Sequence, residues 1–263
     1  MDKIWVIMRK EWSEVFKNRF VFFTVAFLPL VLTALPLIML YATGSSGDLS
    51  GLSATDIPGR FTVLCGEMSE GECAQYFLVS QFMLFFMLMP LMIPVTIASY
   101  SIVGEKTTRT LEPVLATPVT TLELLAGKAL AAAIPGVGVT WIGFIVFAFG
   151  ARLIATSPVV VARLTNPLWL MAIFVVGPLL AVASVSVAVM VSSRANDPRV
   201  AEQLSMLVIL PLLAVFFGQI AGFFFINERL ILWMAVVLAV IDVGLLAFAT
   251  QLFQRETILT RWK

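Results

Sequence analysis

The stretch "YFLVSQFMLFFMLMPLMIPVTIASYSIV", residues Tyr76 to Val103, carries no charged side chain. About 20 apolar residues in a helix cross the hydrocarbon core of a bilayer, so this stretch is long enough to span one. Pro90 and Pro94 lie inside it. A soluble helix would break there, whereas a buried membrane helix tolerates proline because its neighbours re-satisfy the freed carbonyls. Working outward, five further stretches have the same character: 20–41, 125–150, 168–191, 204–226 and 230–253. Pro29, Pro36, Pro135, Pro178 and Pro211 mark expected kinks in them. The pattern predicts an all-α membrane protein with six transmembrane helices, forming a single membrane domain over 1–263.

Composition agrees. The chain is 60% hydrophobic and 13% charged, with a mean hydropathy of +1.00; a soluble domain is nearer half apolar and a quarter charged. A net charge of +1 argues against nucleic acid and against a strongly acidic partner. The chain has no histidine, which removes the commonest general base and metal ligand together, so no metal site is expected. The apolar run at 20–41 is longer than the h-region of a signal peptide and is read as a permanent span. No repeat is visible at periods of 20–50 residues.

Lysine and arginine set the expected orientation. With the N-terminus inside, 13 of the 17 basic residues fall on inner segments; Arg60, Arg152, Arg163 and Arg229 are the outer four. Both termini are then cytoplasmic, and 44–75 is an extracellular loop too small to fold alone. Cys65 and Cys73 lie in that loop. Their spacing leaves two readings open, a small-loop disulfide or two free thiols.

Residues 1–19 are not a span. Ile4, Trp5, Met8, Trp12, Val15 and Phe16 share one helical face, with Lys10, Ser13, Glu14 and Lys17 opposite. A basic amphipathic helix with two tryptophans is expected to lie in the inner membrane interface.

Motifs that carry catalysis are missing. There is no GxxxxGK[ST] phosphate loop, no HExxH, no CxxC and no GxSxG elbow. Asp242 lies near the middle of the last span, and Gln219 and Gln81 are the other strongly polar residues set deep in the spans. An aspartate at mid-membrane is costly and must face protein or water. It marks either a translocation path or an inter-helix hydrogen bond.

The inner segment "GEKTTRTLEPVLATP", Gly104 to Pro118, interrupts the apolar pattern. Glu105 precedes Arg109 by four, the favourable order for an ion pair on a helix. Thr110 is placed to cap a short helix with Pro113 in its first turn, and Thr117-Pro118 ends it. Thr120 with Glu123 forms a capping box for the next span. Leu111, Val114 and Leu115 would be apolar contacts framed by charge, which suggests a docking surface. The second inner loop, Ser192 to Gln203, is built alike, with Asp197 as cap, Pro198 in the first turn, and Arg194 and Arg199 adding charge. It is either a plain hairpin connection or a second docking point.

The run Gly104 to Leu130 resembles the signature region of ABC-2-type permeases, the membrane subunits of type V ABC exporters. Glu105, Thr110, Leu111, Glu112, Leu115, Thr117, Pro118, Glu123, Gly127 and Lys128 match it; Arg109 stands where a glycine is usual. The tail Leu252 to Trp262 and the second loop are similar to sodium-efflux-like and uncharacterised members. The resemblance implies a half-transporter with no cofactor of its own, located in the cell membrane. ATP and magnesium would sit on a separate ABC ATPase subunit, and a second permease subunit, identical or different, would complete the pathway. It also implies that 105–118 is a coupling helix, with Leu111 and Leu115 as apolar anchors, Arg109 and Glu112 as polar partners and Glu105 bracing the base of the second span. The competing readings are an ATP-independent channel or carrier and a membrane scaffold without transport. Few intramembrane charges favour a hydrophobic or amphipathic cargo.

Overall fold

The computed structural model describes residues 2–17, 19–45, 61, 63, 65–66, 68–108, 119–155 and 157–252. Its described secondary structure is helical. The helices are α1 (Asp2–Val15), α2 (Arg19–Ser45), α3 (Glu70–Met83), α4 (Met89–Thr107), α5 (Thr121–Ile154), α6 (Pro158–Leu164), α7 (Pro167–Met171), α8 (Gly177–Arg194), α9 (Pro198–Ser205), α10 (Leu210–Ile220) and α11 (Glu228–Leu252). Grouped by continuity, they make six segments long and apolar enough to cross a membrane: Val21–Thr43, Glu70–Thr107, Leu122–Ile154, Pro158–Arg194, Pro198–Ile220 and Glu228–Gln251. The second, third and fourth extend several residues past the apolar stretches in the sequence, whereas the fifth, expected over 204–226, begins six residues earlier and ends six residues sooner, at Ile220. Hydropathy marks the hydrocarbon, whereas hydrogen bonding and capping decide where a helix stops. The fourth segment overruns furthest, because α6 occupies what reads as an outer loop.

Proline explains the irregular turns. Pro90, Pro178 and Pro211 each stand in the first turn of a regular helix. The preceding residues, Leu84–Leu88, Ala172–Val176 and Met206–Ile209, wind as 3-10, π and 3-10 turns respectively. A proline lacks the N–H and crowds the carbonyl four residues back, so the turn before it rewinds.

Segment 70–107 is the centre of the bundle, with 78% of its most apolar window buried, against 11% for the last segment. Phe86, Met87, Leu91, Ile93 and Ile97 are fully buried there. Around this helix α2, α5, α8 and α9 pack directly. Gly136 of α5 permits a close approach to α4, since a Cβ there would stand 2.7 Å from Pro94 Cγ.

At the end of the bundle away from α1, Cys65 and Cys73 are joined in a disulfide, with Cα atoms 5.4 Å apart. Phe61 packs beside it against Phe77 (4.8 Å between ring centres) and Phe225 (5.3 Å). The disulfide therefore pins an aromatic bridge between α3 and the α10–α11 connection.

Candidate functional site

On α1, Met8 and Val15 are buried against the bundle, while Trp5 is 56% and Phe16 38% exposed. The buried stripe instead runs through Met8, Glu11 and Val15, and Glu11 is only 2% exposed. Lys10, expected on the outer polar face, turns inward with it.

Gly127 creates the approach. A Cβ on Gly127 would sit 2.7 Å from Ile7 Cγ2, so the absence of a side chain lets α1 lie directly on α5. Trp12 Nε1 donates to the Ala131 carbonyl at 2.8 Å, which fixes the axial register of the two helices. The next residue, Lys128, is thereby aimed under α1.

There the charges meet. Lys128 Nζ donates to Glu11 Oε1 at 2.7 Å and to Ser101 Oγ at 2.8 Å. It stands 2.9 Å from Glu105 Oε2, an attraction between charges rather than a directed hydrogen bond. Lys10 donates to the other oxygen of Glu105 and pairs with Glu14 at 3.1 Å and Glu11 at 3.5 Å. Ser101 Oγ donates to Glu11 Oε2. Two lysines and three glutamates thus tie α1 to the end of α4 and the start of α5. A cleft of about 550 Å³ beside them is lined by Glu14, Tyr100, Gly104, Glu105, Thr108 and Pro198, among others.

Electrostatics in the cluster are strongly biased. Burial would raise the Glu11 carboxyl, but the Lys128 ammonium, the bonds from Lys128 and Ser101, and the charge of Lys10 together hold it below the ordinary carboxylate range. Burial would lower the Lys10 ammonium, but its bond to Glu105 and the charges of Glu105 and Glu11 raise it above the ordinary lysine value. Both groups are therefore ionised at neutral pH. A buried ion cluster of this kind adds little net stability over an apolar core, but loss of one member leaves an uncompensated charge. Its structural consequence is to fix where α1, α4 and α5 sit relative to one another. By contrast, Lys3 and Glu123, 3.6 Å apart and partly exposed, form a solvent-screened surface pair that adds little.

Of the residues singled out in the sequence, Glu105 is in this cluster. Its expected partner Arg109, with Thr110, Leu111, Glu112, Leu115, Thr117 and Pro118, lies outside the described residues. The flanks of that segment are described. Lys106 Nζ donates to the carbonyls of Ala195 (3.1 Å) and Ser193 (3.4 Å), joining the base of α4 to the second loop. Thr120 and Glu123 form the capping box of α5, through Thr120 N to Glu123 Oε2 at 2.8 Å and Glu123 N to Thr120 Oγ1 at 3.2 Å. Arg194, Asp197 and Arg199 are exposed, and Asp197 Oδ1 caps α9 by accepting from Arg199 N at 2.7 Å. Glu202 of α9 accepts from Thr96 of α4 at 2.7 Å, a second tie between these elements.

Asp242, Gln81 and Gln219 are all buried and stand on different helices. Both oxygens of Asp242, both amide atoms of Gln81 and Oε1 of Gln219 have no hydrogen-bond partner among the described residues. Gln75, a turn and a half before Gln81, is instead satisfied by Leu40 O and Thr43 Oγ1. Gln81 and Gln219 also correspond in depth. Phe85 and Phe216 touch at 4.9 Å, and the glutamines lie on the same faces, four residues before the one and three after the other. They sit between that aromatic contact and the Phe61–Phe77–Phe225 cluster.

Lys10, Glu11 and Ser101 were not singled out in the sequence as site residues, and Lys128 entered only as a motif match. One signal was present for Glu11: it stands three after Met8 and four before Val15, a charge set into an apolar stripe. No curated protein matches the chain. The family model for ABC-2 family transporter proteins matches residues 5–232, from α1 into the first turns of α11. That match takes in the charge cluster, the segment it flanks and most of the helical bundle. The chain therefore belongs to the ABC-2 family transporter proteins, the membrane-embedded permeases of ABC transporters.

Proposed function

We propose that this permease is an export subunit of the cell membrane, powered by ATP hydrolysed on a separate ABC ATPase subunit that seats on the cytoplasmic segment 105–118. The observation that carries the reading is the charge cluster. Glu105, where the segment begins, is held to α1 and to Lys128, seven residues into α5, the helix that follows the segment, by the same ions. A push on the segment from outside the bilayer then moves α1, α4 and α5 together instead of bending a loose loop. Leu111 and Leu115 anchor the ATPase, and Arg109 and Glu112 orient it. The Lys106 contacts carry part of the load to the second loop, where exposed Arg194 and Arg199 offer a further contact.

Gln81, Gln219 and Asp242 supply the polar points of the translocation path, with a second permease subunit, identical or different, completing it. Apolar surface dominates elsewhere, including a groove of about 550 Å³ lined by Leu91, Leu180, Leu212, Trp233 and Val237. This favours a lipophilic or amphipathic cargo. The test is copurification with an ABC ATPase followed by ATP turnover in liposomes. Turnover should rise with lipophilic compounds and fall to the ATPase's own basal rate in the Leu111→Asp, Leu115→Asp double variant. Unchanged association and turnover in that variant would refute the coupling role.

A further inference from the structure

The start of α2 presents a different feature from the charge cluster. Arg19, Phe22, Phe23, Phe27 and Leu30 recur every three or four residues on one face. With Phe16 they line an open groove of about 400 Å³. Phe22, Phe23, Phe27 and Leu30 are each more than half exposed, turned away from the bundle, and Phe23 stacks on Phe27 at 4.8 Å. The membrane-crossing part of this helix begins at Val21, so the aromatic floor lies within the bilayer and Arg19 stands at its edge.

Charge is unbalanced at the head of this groove. Arg19 and Lys17 are exposed, and among the described residues no carboxylate pairs with either. The first turn of α2 holds no acidic side chain. Lys3, Lys10 and Lys128 nearby each have a glutamate partner. Arg19 on the groove wall, with Lys17 two residues before it in the chain and no carboxylate paired with either among the described residues, complements an amphiphile with a negative head and a hydrocarbon tail. We propose that this groove is a binding site for an anionic phospholipid, its phosphate on Arg19 and Lys17 and an acyl chain along Phe23 and Phe27. A guanidinium is suited to this role because its fork binds phosphate through two parallel hydrogen bonds, and basic residues at a membrane edge attract anionic headgroups. The inference rests on the span boundary and the local charge balance, not on the coupling reading.

The experiment uses the full chain in detergent, stripped of lipid. Dioleoyl phosphatidylglycerol or dioleoyl phosphatidylcholine is added back, and the melting temperature and the number of lipids retained in native mass spectrometry are read. The wild type should retain phosphatidylglycerol at least several-fold better than phosphatidylcholine, with a higher melting temperature that salt diminishes. Arg19→Gln with Lys17→Gln should abolish that preference, Arg19→Lys should keep part of it, and Phe23→Ala with Phe27→Ala should weaken retention of both lipids. Equal retention of the two lipids by the wild type would overturn the proposal, and this comparison needs no variant to fold. A preference that survives in Arg19→Gln/Lys17→Gln would place the lipid elsewhere. Conversion of that variant from dimer to monomer without a change in lipid retention would assign the face to a second copy of the chain and equally overturn it.

Discussion

Lys128 and Glu11 are separated by 117 residues in the chain and by 2.7 Å between Nζ and Oε1, and neither side chain is more than 3% exposed. The pair closes α1 onto α5, and Glu105 extends it to α4. Removing the lysine leaves two buried carboxylates, Glu11 and Glu105, with Lys10 as the one cation they share among the described residues. Lys128→Met should therefore destabilise the protein by about 3–5 kcal/mol, read as a lowered midpoint in denaturant unfolding from mixed micelles. The charge exchange Glu11→Lys with Lys128→Glu should recover part of that loss. Equal loss in the exchange and the single variants would show that the pair acts through shape alone.

The same cluster sets an acid limit. Because the folded-state carboxyl of Glu11 lies below its unfolded value, its stabilisation is present above the ordinary carboxylate range and is lost as pH falls through the folded value. For Lys10, raised in the folded state, stabilisation is complete below the ordinary lysine value and is lost only as pH rises through the folded one. Melting temperature should hold a plateau from about pH 5 to about pH 10 and fall below about pH 4. Glu11→Gln should lower the plateau and flatten the acid limb.

Gly127 is a steric requirement. In Gly127→Val the new side chain meets Ile7, whose Cγ2 is already 2.7 Å from the Cβ position. A cost of about 1–3 kcal/mol follows, together with faster proteolysis of α1. Ile7→Gly, which also removes the Ile7 Cβ 2.9 Å from that position, should relieve Gly127→Ala in a double-mutant cycle, with a coupling energy that two independent sites would not show.

How much of this was legible in the sequence differs by element. The six spans are plain from hydropathy because a bilayer demands long apolar runs. Helix starts were legible where a short polar side chain caps them, as at Thr120 with Glu123 and at Asp197. Helix α6 was not, since it lies in a stretch bounded by Pro158 and Pro167 that is too short to signal a span. Glu11 was also missed. Periodicity assigns a lone glutamate at the edge of an apolar face to the solvent, and its partner lies more than a hundred residues away. The glycine–lysine pair at 127–128 was visible as letters, but its purpose emerges only once Ile7 is seen against the glycine and Glu11 against the lysine.

At the other end of the bundle, the Cys65–Cys73 disulfide holds the loop that carries Phe61 against α3. Closing so short a loop is worth about 2–3 kcal/mol in the chain-entropy model. Reductant should lower the melting temperature of the wild type, and Cys65→Ser with Cys73→Ser should melt at the reduced value and no longer respond. A reductant response that persists in the double variant would trace the effect to another component.

The most direct test of the coupling role places a photo-crosslinking amino acid at Leu111 or Leu115 in the intact membrane complex. Adducts to the ABC ATPase subunit should form at both positions and change in yield when ATP is added, while the same probe at exposed Val240, midway along α11, gives none. Absence of an ATPase adduct at either leucine, in membranes where permease and ATPase copurify, would contradict the assignment of 105–118 as the point where ATP hydrolysis reaches the bundle.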